Sequence, residues 1–318
     1  MRRLAFLIVL VALTVPAGSP RADGNPLNAV VEIRTTVPAD ARTADSLGTE
    51  RIGGGVLIDS GGLILTIGYL MMESDAVWVT DAAANRVPAE TVGYDHETGF
   101  GLVRALGPLE ATPARLGSFA DLTVGDTLLA AGPGGARPTV LIDLRSFAGG
   151  WEYLLDTALY TSPPIPNFGG AALFAKDGRL VGIGSLMLRD VIGKLPGNLY
   201  VPIDLLPPIL GDLLAFGHAT SPAQPWIGLY PNEVDGGLVV GRVAPGGPAQ
   251  TAGIGPGDVI LGVGEEPVAD MEQLWRKVRA LGSAGVAVPL KVLGGSGVRD
   301  VVVTSRDRRG WLKLERSY

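Results

Sequence analysis

The chain has 318 residues, of which 47% are hydrophobic and 18% charged, a balance that excludes a largely disordered protein and allows a sizeable core. Its net charge of −6, without a dense run of lysine or arginine, argues against a nucleic-acid partner, because a phosphate backbone requires a clustered basic surface. The sequence contains no cysteine, which excludes disulfide bonds and thiol chemistry.

The amino terminus has the pattern of a secretory signal peptide. Arg2 and Arg3 precede an apolar run over residues 4–15, which ends in a segment of proline and small residues. A run of that length is too short to cross a bilayer core of about 30 Å as a helix. We therefore predict a signal peptide over residues 1–22, export to the periplasm, and no membrane span after cleavage. An uncleaved anchor is the alternative.

Short apolar segments separated by turn residues follow, and their spacing predicts an antiparallel β domain over residues 27–217. An apolar pattern with helical period closes it at residues 203–216, where Pro207 and Pro208 favour a start inside the segment. The predicted strands cover residues 29–33, 53–58, 64–66, 76–79, 90–94, 101–104, 127–131, 139–143, 171–174, 180–184 and 199–202.

A second and smaller domain is predicted after a polar, proline-containing linker at residues 218–225. It is expected to span residues 226–306 and to combine a few strands with one well-marked helix, which is an α+β pattern. Residues 307–318 are predicted to be a C-terminal tail. The predicted strands cover residues 237–243, 258–263, 286–292 and 300–304, and the predicted helix covers residues 271–281.

Motifs along the chain carry a family resemblance. The glycine-rich strand at residues 53–59, the Leu-Tyr-Val-Pro-Ile segment at 199–203 and the Ala-Gly-Ile-Gly-Pro-Gly-Asp-Val-Ile segment at 252–260 stand in an order typical of one group. They resemble the HtrA/Deg family of periplasmic trypsin-like serine proteases with a C-terminal PDZ domain. The resemblance implies a mostly-β fold, with a trypsin-like double β-barrel followed by a small α+β PDZ domain.

The resemblance also identifies three positions where a catalytic triad would stand. Serine proteolysis requires a nucleophilic hydroxyl, an imidazole that takes its proton and a carboxylate that orients the imidazole. Matching the motifs places Tyr69 at the histidine position, Gly99 at the aspartate position and Phe168 at the serine position. A phenol with a pKa of about 10 is a poor base near neutral pH, and the other two side chains supply neither group. We therefore predict no catalytic residue, no metal site and no cofactor.

The PDZ-like segment retains the parts of a peptide site. A PDZ domain binds a C-terminal peptide by adding it as a strand to a sheet edge. The resemblance implies that backbone N–H groups of Ile227, Gly228 and Leu229 hold the terminal carboxylate. Leu274 and Val278, one helical turn apart, are expected to receive an apolar terminal side chain.

The predicted function is that of a periplasmic HtrA-like pseudoprotease, which binds peptide C-termini or partner proteins as a scaffold, regulator or quality-control factor. One alternative is an active periplasmic serine endopeptidase of the HtrA type whose triad the motif matching misplaces. The other is a regulatory subunit of an active homologue. Peptide or protein C-termini are the expected partners, beside further copies of the chain or an active homologue.

Overall fold

The computed structural model describes residues 25–234 and 237–314. The predicted signal peptide lies outside the described residues, as do the last four residues of the predicted tail. Within the described part, no helix has the length and apolar character that crossing a membrane requires.

Strands near the amino end form a first closed barrel. They are β1 (Val30–Thr36), β2 (Glu50–Leu57), β3 (Leu63–Ile67), β4 (Ala76–Thr80), β5 (Arg86–Tyr94) and β6 (Phe100–Ala105), and α1 (Ala44–Leu47) lies between the first two. Around the barrel the order is β1-β2-β3-β6-β5-β4. Asp59 shapes the β2–β3 turn, since its carboxylate accepts hydrogen bonds of 2.8 Å from the N–H groups of Gly61 and Leu63.

A second closed barrel follows, in the order β10-β11-β12-β9-β8-β7. Its strands are β7 (Thr127–Gly132), β8 (Gly135–Gly149), β9 (Tyr153–Ser162), β10 (Ala172–Phe174), β11 (Leu180–Ile192) and β12 (Leu195–Pro202), and α2 (Pro207–Phe216) comes after them. The sequence prediction omitted β9 and gave β8 only residues 139–143. Most of β9 is buried, so it lacks the alternation of polar and apolar residues that marks a half-exposed strand.

The third unit is an open sheet with two helices. It consists of β13 (Leu229–Val234), β14 (Gly237–Val243), α3 (Pro248–Thr251), β15 (Val259–Val263), β16 (Glu266–Pro267), α4 (Met271–Ala280), β17 (Ala287–Gly294) and β18 (Gly297–Thr304). The sheet order is β13-β14-β15-β17-β18, and β16 pairs with β15. The mostly-β fold, with two barrels and a smaller α+β unit, is confirmed. Strand β13, which was not predicted, lies at the sheet edge and contains Pro231.

The tail after β18 connects the third unit to the first barrel. Leu312 is buried in the apolar cluster of the first barrel, together with Ile33 and Val79. The rings of Trp311 and Trp226 lie 5.1 Å apart between centroids. The tail therefore packs on the first barrel through Leu312 and on Trp226, just before the third unit, through Trp311.

Candidate functional site

Tyr69 lies in a short turn that follows β3. Gly68 permits the turn, because a Cβ at this position would lie 2.2 Å from the ring of Tyr94. The Gly68 N–H donates a 2.7 Å hydrogen bond to the carbonyl of Gly99, which places the turn that carries Tyr69 beside a second predicted position. The Tyr69 hydroxyl donates to the backbone carbonyl of Ser185 at 3.0 Å. Burial raises the pKa of Tyr69 above its usual value, so the phenol stays protonated.

Gly99 closes the turn between β5 and β6. Its φ of +77° is in the left-handed region that favours glycine. A Cβ at this position would lie 3.0 Å from the hydroxyl of Tyr153, which itself donates to the carbonyl of Thr98 at 2.5 Å. The place where a carboxylate would project is thus next to a tyrosine from β9.

Phe168 stands just before two glycines and β10. Gly170 has a φ of +72°, and a Cβ there would lie 2.0 Å from the carbonyl oxygen of Gly54, so only glycine fits. Phe168 is half-buried and packs on the apolar cluster of the second barrel. A trypsin-type oxyanion hole uses the N–H of the nucleophile and of the residue two before it. That second residue is Pro166, which has no N–H to donate.

These three positions line one cavity of about 590 Å³. It lies where the barrels meet the third unit, since Tyr230 and Arg242 also contribute to its wall. Tyr69 and Phe168 do not form a ring pair within the described residues; the Tyr69 hydroxyl is directed instead to Ser185. The structure therefore brings the predicted positions together around a shared space.

His96 lines the same cavity. Its Nδ1 lies 2.9 Å from the Tyr94 hydroxyl, and Nη1 of Arg308 lies 2.8 Å from the ring. Burial, and then the positive charges of Arg308 and Arg279, hold the pKa of His96 well below its usual range. The ring is therefore neutral and a weak base at neutral pH. No histidine in the described part of the chain is hydrogen-bonded to a serine hydroxyl.

The described residues contain no group of three or more acidic or histidine side chains placed to bind a metal ion. The cavity wall combines aromatic and apolar side chains with cationic, hydroxyl and amide groups.

The predicted carboxylate-binding loop holds a carboxylate from the same chain. The N–H groups of Ile227, Gly228 and Leu229 donate to the side chain of Glu152 at 2.9, 2.5 and 2.9 Å. Gly228 has a φ of +78°, which turns the loop so that its amides converge. Sequence reasoning missed Glu152. The local sequence marks it only by its place at the tip of the β8–β9 hairpin, two residues after a pair of glycines.

The predicted apolar pair lies beneath this loop. Leu274 and Val278 are on α4, and they share an apolar cluster with Ile227 and Leu229. Asp270 begins the helix, because its carboxylate accepts a 2.7 Å hydrogen bond from the N–H of Gln273. Four of the five predicted residues, all except Gly228, therefore share one buried apolar cluster. Leu154, from β9, belongs to the same cluster.

Two family models match the chain. The model of the trypsin-like peptidase domain matches residues 53–183, and the model of the PDZ domain matches residues 220–293. HhoA of Synechocystis sp., which is named as a serine protease, is 32% identical over 273 residues, covering 76% of this chain and 67% of that protein. A DegP-like periplasmic serine endoprotease of Pseudomonas fluorescens is 27% identical over 273 residues, covering 80% of this chain.

The chain spans 56% of the length of that DegP-like protein. A solved structure of the HtrA-type protease AlgW with a tripeptide has a TM-score of 0.53 and 20% identity, over 88% of this chain and 94% of that one. At that identity the likeness concerns the fold. The chain belongs to the HtrA-type family of trypsin-like serine proteases with a C-terminal PDZ domain.

Proposed function

We propose that this chain is a periplasmic HtrA-type pseudoprotease, which binds peptide C-termini or partner proteins and does not hydrolyse them. The observation that carries the proposal is the set of side chains at the three triad positions, Tyr69, Gly99 and Phe168, around one cavity. In this proposal the degenerate protease domain spans residues 27–217, and the PDZ domain spans residues 226–306 after a linker at 218–225.

The chemistry of proteolysis supports the loss of activity. Triad members act as a unit, and removal of one can lower turnover by about 10⁶. A residual rate of roughly 10³ over water depends on the oxyanion hole and on substrate binding. Pro166 removes one of the two N–H donors that such a hole uses. The neutral, poorly basic His96 is engaged with Tyr94 rather than with a hydroxyl nucleophile.

The loop formed by Ile227, Gly228 and Leu229 supports the binding role. Its three amides converge on a carboxylate, which is the group that a peptide C-terminus would present. An apolar cluster on α4 lies beside them and suits an apolar terminal side chain. The binding chemistry is therefore retained where the hydrolytic chemistry has changed.

An active serine endopeptidase is the second candidate. The names of the relatives favour it, since HhoA and the DegP-like protein are both named as proteases. Ser46 and Ser185 line the same cavity as His96, so an unusual arrangement would have its components nearby. A regulatory subunit of an active homologue is the third candidate, and mixed oligomers recovered by co-purification would distinguish it.

The direct test is labelling of the purified full chain with a fluorophosphonate probe, together with casein digestion and an active HtrA-type protease as positive control. We expect neither labelling nor digestion. Labelling of a serine, mapped by mass spectrometry, would establish the second candidate and end the pseudoprotease proposal. Cell fractionation of the native host tests the periplasmic location. We expect the protein to be released together with the periplasmic contents.

A further inference from the structure

We infer that the peptide groove of the PDZ domain is filled by the chain's own β8–β9 hairpin, with Glu152 in the place of a peptide's terminal carboxylate. The inference rests on the proposed peptide-binding function and names how that site is regulated. It follows from contacts of the hairpin with three sides of the groove: the loop at residues 227–229, the edge strand β13 and the helix α4.

All three amides of the loop have Glu152 as their hydrogen-bond acceptor. One oxygen of Glu152 accepts from Gly228 and Leu229, and the other accepts from Ile227. The Glu152 residue is only 8% exposed, so bulk water has little access to the pair of oxygens. A free peptide terminus would require these same three amides.

The hairpin backbone runs where a bound peptide would run. The carbonyl of Gly149 accepts a 2.9 Å hydrogen bond from the indole N–H of Trp275 on α4. On the other side, a Cβ on Gly150 would lie 2.6 Å from the carbonyl oxygen of Pro231 in β13, so glycine is required for the close approach. The tip of the hairpin is therefore held between the edge strand and the helix.

The apolar part of the groove is occupied as well. Leu154, two residues after Glu152, is 5% exposed and belongs to the cluster that contains Leu274 and Val278. The guanidinium of Arg279 donates to the Leu154 carbonyl at 3.3 Å. The hairpin thus supplies both features of a PDZ ligand, a carboxylate for the loop and a leucine side chain for the apolar cluster.

The backbone at Glu152 gives an independent reason to assign this side chain a role. Its φ of +63° is in the left-handed region, where glycine is favoured and most other residues are strained. The tip also contains the pair Gly149 and Gly150, and Trp151 separates that pair from Glu152. Such strain persists where surrounding contacts stabilise it, and here those contacts are the three bonds to the loop.

The consequence is competition between an internal and an external ligand. A ligand tethered within one chain acts at an effective concentration of roughly millimolar when the geometry permits binding. A peptide with a free carboxylate and an apolar terminal residue must displace Glu152. Its apparent Kd equals the intrinsic Kd divided by the fraction of molecules in which the groove is open. The groove would therefore respond to abundant or tight-binding termini.

Hydrogen exchange of the full chain tests the internal contact directly. In the variant Glu152→Ala, we expect the amides of residues 227–229 to exchange at least about tenfold faster than in the wild type, because the partner that protects them is gone. Asp156→Asn is the matched control, since Asp156 is on the same hairpin and its side chain is 82% exposed, paired with Arg276. Unchanged exchange in Glu152→Ala would overturn the inference.

A peptide-binding experiment distinguishes a failure of this inference from a failure of the proposed function. The probe is a pool of random decapeptides with free carboxyl ends, compared with the same pool amidated. We expect Glu152→Ala to bind the free pool about tenfold or more tightly than the wild type and Asp156→Asn do, with little binding of the amidated pool. Faster exchange without any peptide binding would support the internal contact and end the peptide-binding function.

A second variant covers the case in which Glu152→Ala fails to fold. Glu152→Gln keeps the side-chain size and one carbonyl acceptor, but an NH₂ group replaces the second acceptor oxygen and cannot accept a hydrogen bond from the loop. We expect its loop amides to exchange at a rate between those of the wild type and of a fully opened groove. Exchange identical to the wild type in both free and peptide-saturated samples would overturn the inference.

Discussion

The hydroxyl of Tyr69 donates a 3.0 Å hydrogen bond to the backbone carbonyl of Ser185. Tyr69 follows β3 of the first barrel, and Ser185 lies in β11 of the second. The side chain at the predicted histidine position is thus a link between the two barrels. Burial, which raises its pKa, keeps the donor proton in place.

Removing that hydroxyl tests the link. We expect Tyr69→Phe to lower the free energy of unfolding by about 1 kcal/mol, because the Ser185 carbonyl loses its side-chain donor inside the cleft. Urea unfolding measures the difference. Tyr230→Phe is the control, since the Tyr230 hydroxyl has no hydrogen bond within the described residues and the ring that Arg242 covers is kept. It should change stability by less than about 0.5 kcal/mol. Equal losses in the two variants would contradict the role given to Tyr69.

The backbone of the turn at Gly99 predicts a loss of stability when a carboxylate is introduced at this position. We expect Gly99→Asp to destabilise the chain by about 1–2 kcal/mol, because a non-glycine residue is strained at a φ of +77°. The added Cβ would also approach the hydroxyl of Tyr153 to 3.0 Å. Thermal unfolding measures the loss.

Gly295→Asp is the matched control for this substitution. Gly295 is exposed, its φ is outside the left-handed region, and an added Cβ meets nothing within 4 Å. We expect its unfolding temperature to stay close to that of the wild type. A Gly99→Asp variant as stable as Gly295→Asp would mean that the turn accommodates a carboxylate, which would weaken the structural case against a restored triad.

Glu73 gives a prediction for acid stability. Its carboxylate accepts hydrogen bonds from Thr43, from the N–H of Arg42 and from the N–H of Lys313 in the tail. Burial alone would raise its pKa, but these hydrogen bonds outweigh burial and hold the pKa of Glu73 below its usual value. Because the folded state binds the proton more weakly, this stabilisation is present above the usual glutamate pKa and is lost as the pH falls through the lower, folded value.

The variant Glu73→Gln tests the direction of this pH dependence. At pH 7 we expect it to be about 1–3 kcal/mol less stable than the wild type, since hydrogen bonds to a charged acceptor are lost. At acid pH, where the wild-type carboxyl is itself protonated, the difference should shrink. Urea midpoints at several pH values measure both quantities. A difference that grows towards low pH would contradict the lowered pKa.

Much of the architecture was predictable because it depends on local pattern. Strands with one buried face, such as β1, alternate buried and more exposed residues and are recognisable from sequence. Strand β9 is buried along most of its length, and β13 contains Pro231 and Asn232, so neither has the usual signal. The three predicted triad positions come from motif matching, and the fold places Tyr69, Gly99 and Phe168 around one cavity.

The contact of Glu152 with the PDZ loop was not predictable in the same way. The bonded residues are 75 to 77 positions apart in the chain and belong to different units. Neither the hairpin nor the loop has a motif that specifies the other. Only the packing of the third unit against β8 and β9 makes the carboxylate and the amides meet. A resemblance to peptide-binding domains identifies the receptor but not an internal ligand.

The protonation of Glu152 makes the internal contact dependent on pH. Burial raises the pKa of Glu152 to about 7, although hydrogen bonds from Ile227 and Leu229, the charge of Arg308 and the N–H of Gly228 act in the opposite direction. Other titratable groups near it are Tyr230 on β13 and the residues of the adjacent cavity, His96, His218, Arg279 and Glu97. His96 is held neutral by burial, and Tyr230 has a raised pKa, so neither changes its charge near pH 7.

The sign follows from comparing the docked hairpin with an undocked one. An undocked glutamate releases its proton near its usual pKa of 4.5, whereas the docked group keeps its proton up to about 7. Docking of the hairpin is therefore accompanied by proton uptake between pH 4.5 and about 7. The docked state is most stable below this pH range, and its free energy weakens by up to about 1.4 kcal/mol for each pH unit across the range. Raising the pH through 7 should open the groove and strengthen the binding of external peptides.

Carbon-13 NMR of the glutamate side-chain carboxyls measures this pKa, and the signal missing in Glu152→Gln identifies the residue. We expect a titration midpoint of about 7 in the full chain. The same samples provide loop exchange rates, corrected for the intrinsic pH effect, at pH 6 and pH 8. Protection of residues 227–229 should fall across that interval in the wild type and stay constant in Glu152→Gln, where no charge appears. A midpoint well below 4.5 with fully protected loop amides would mean that the amides outweigh burial, and docking would then strengthen as the pH rises from that midpoint towards 4.5.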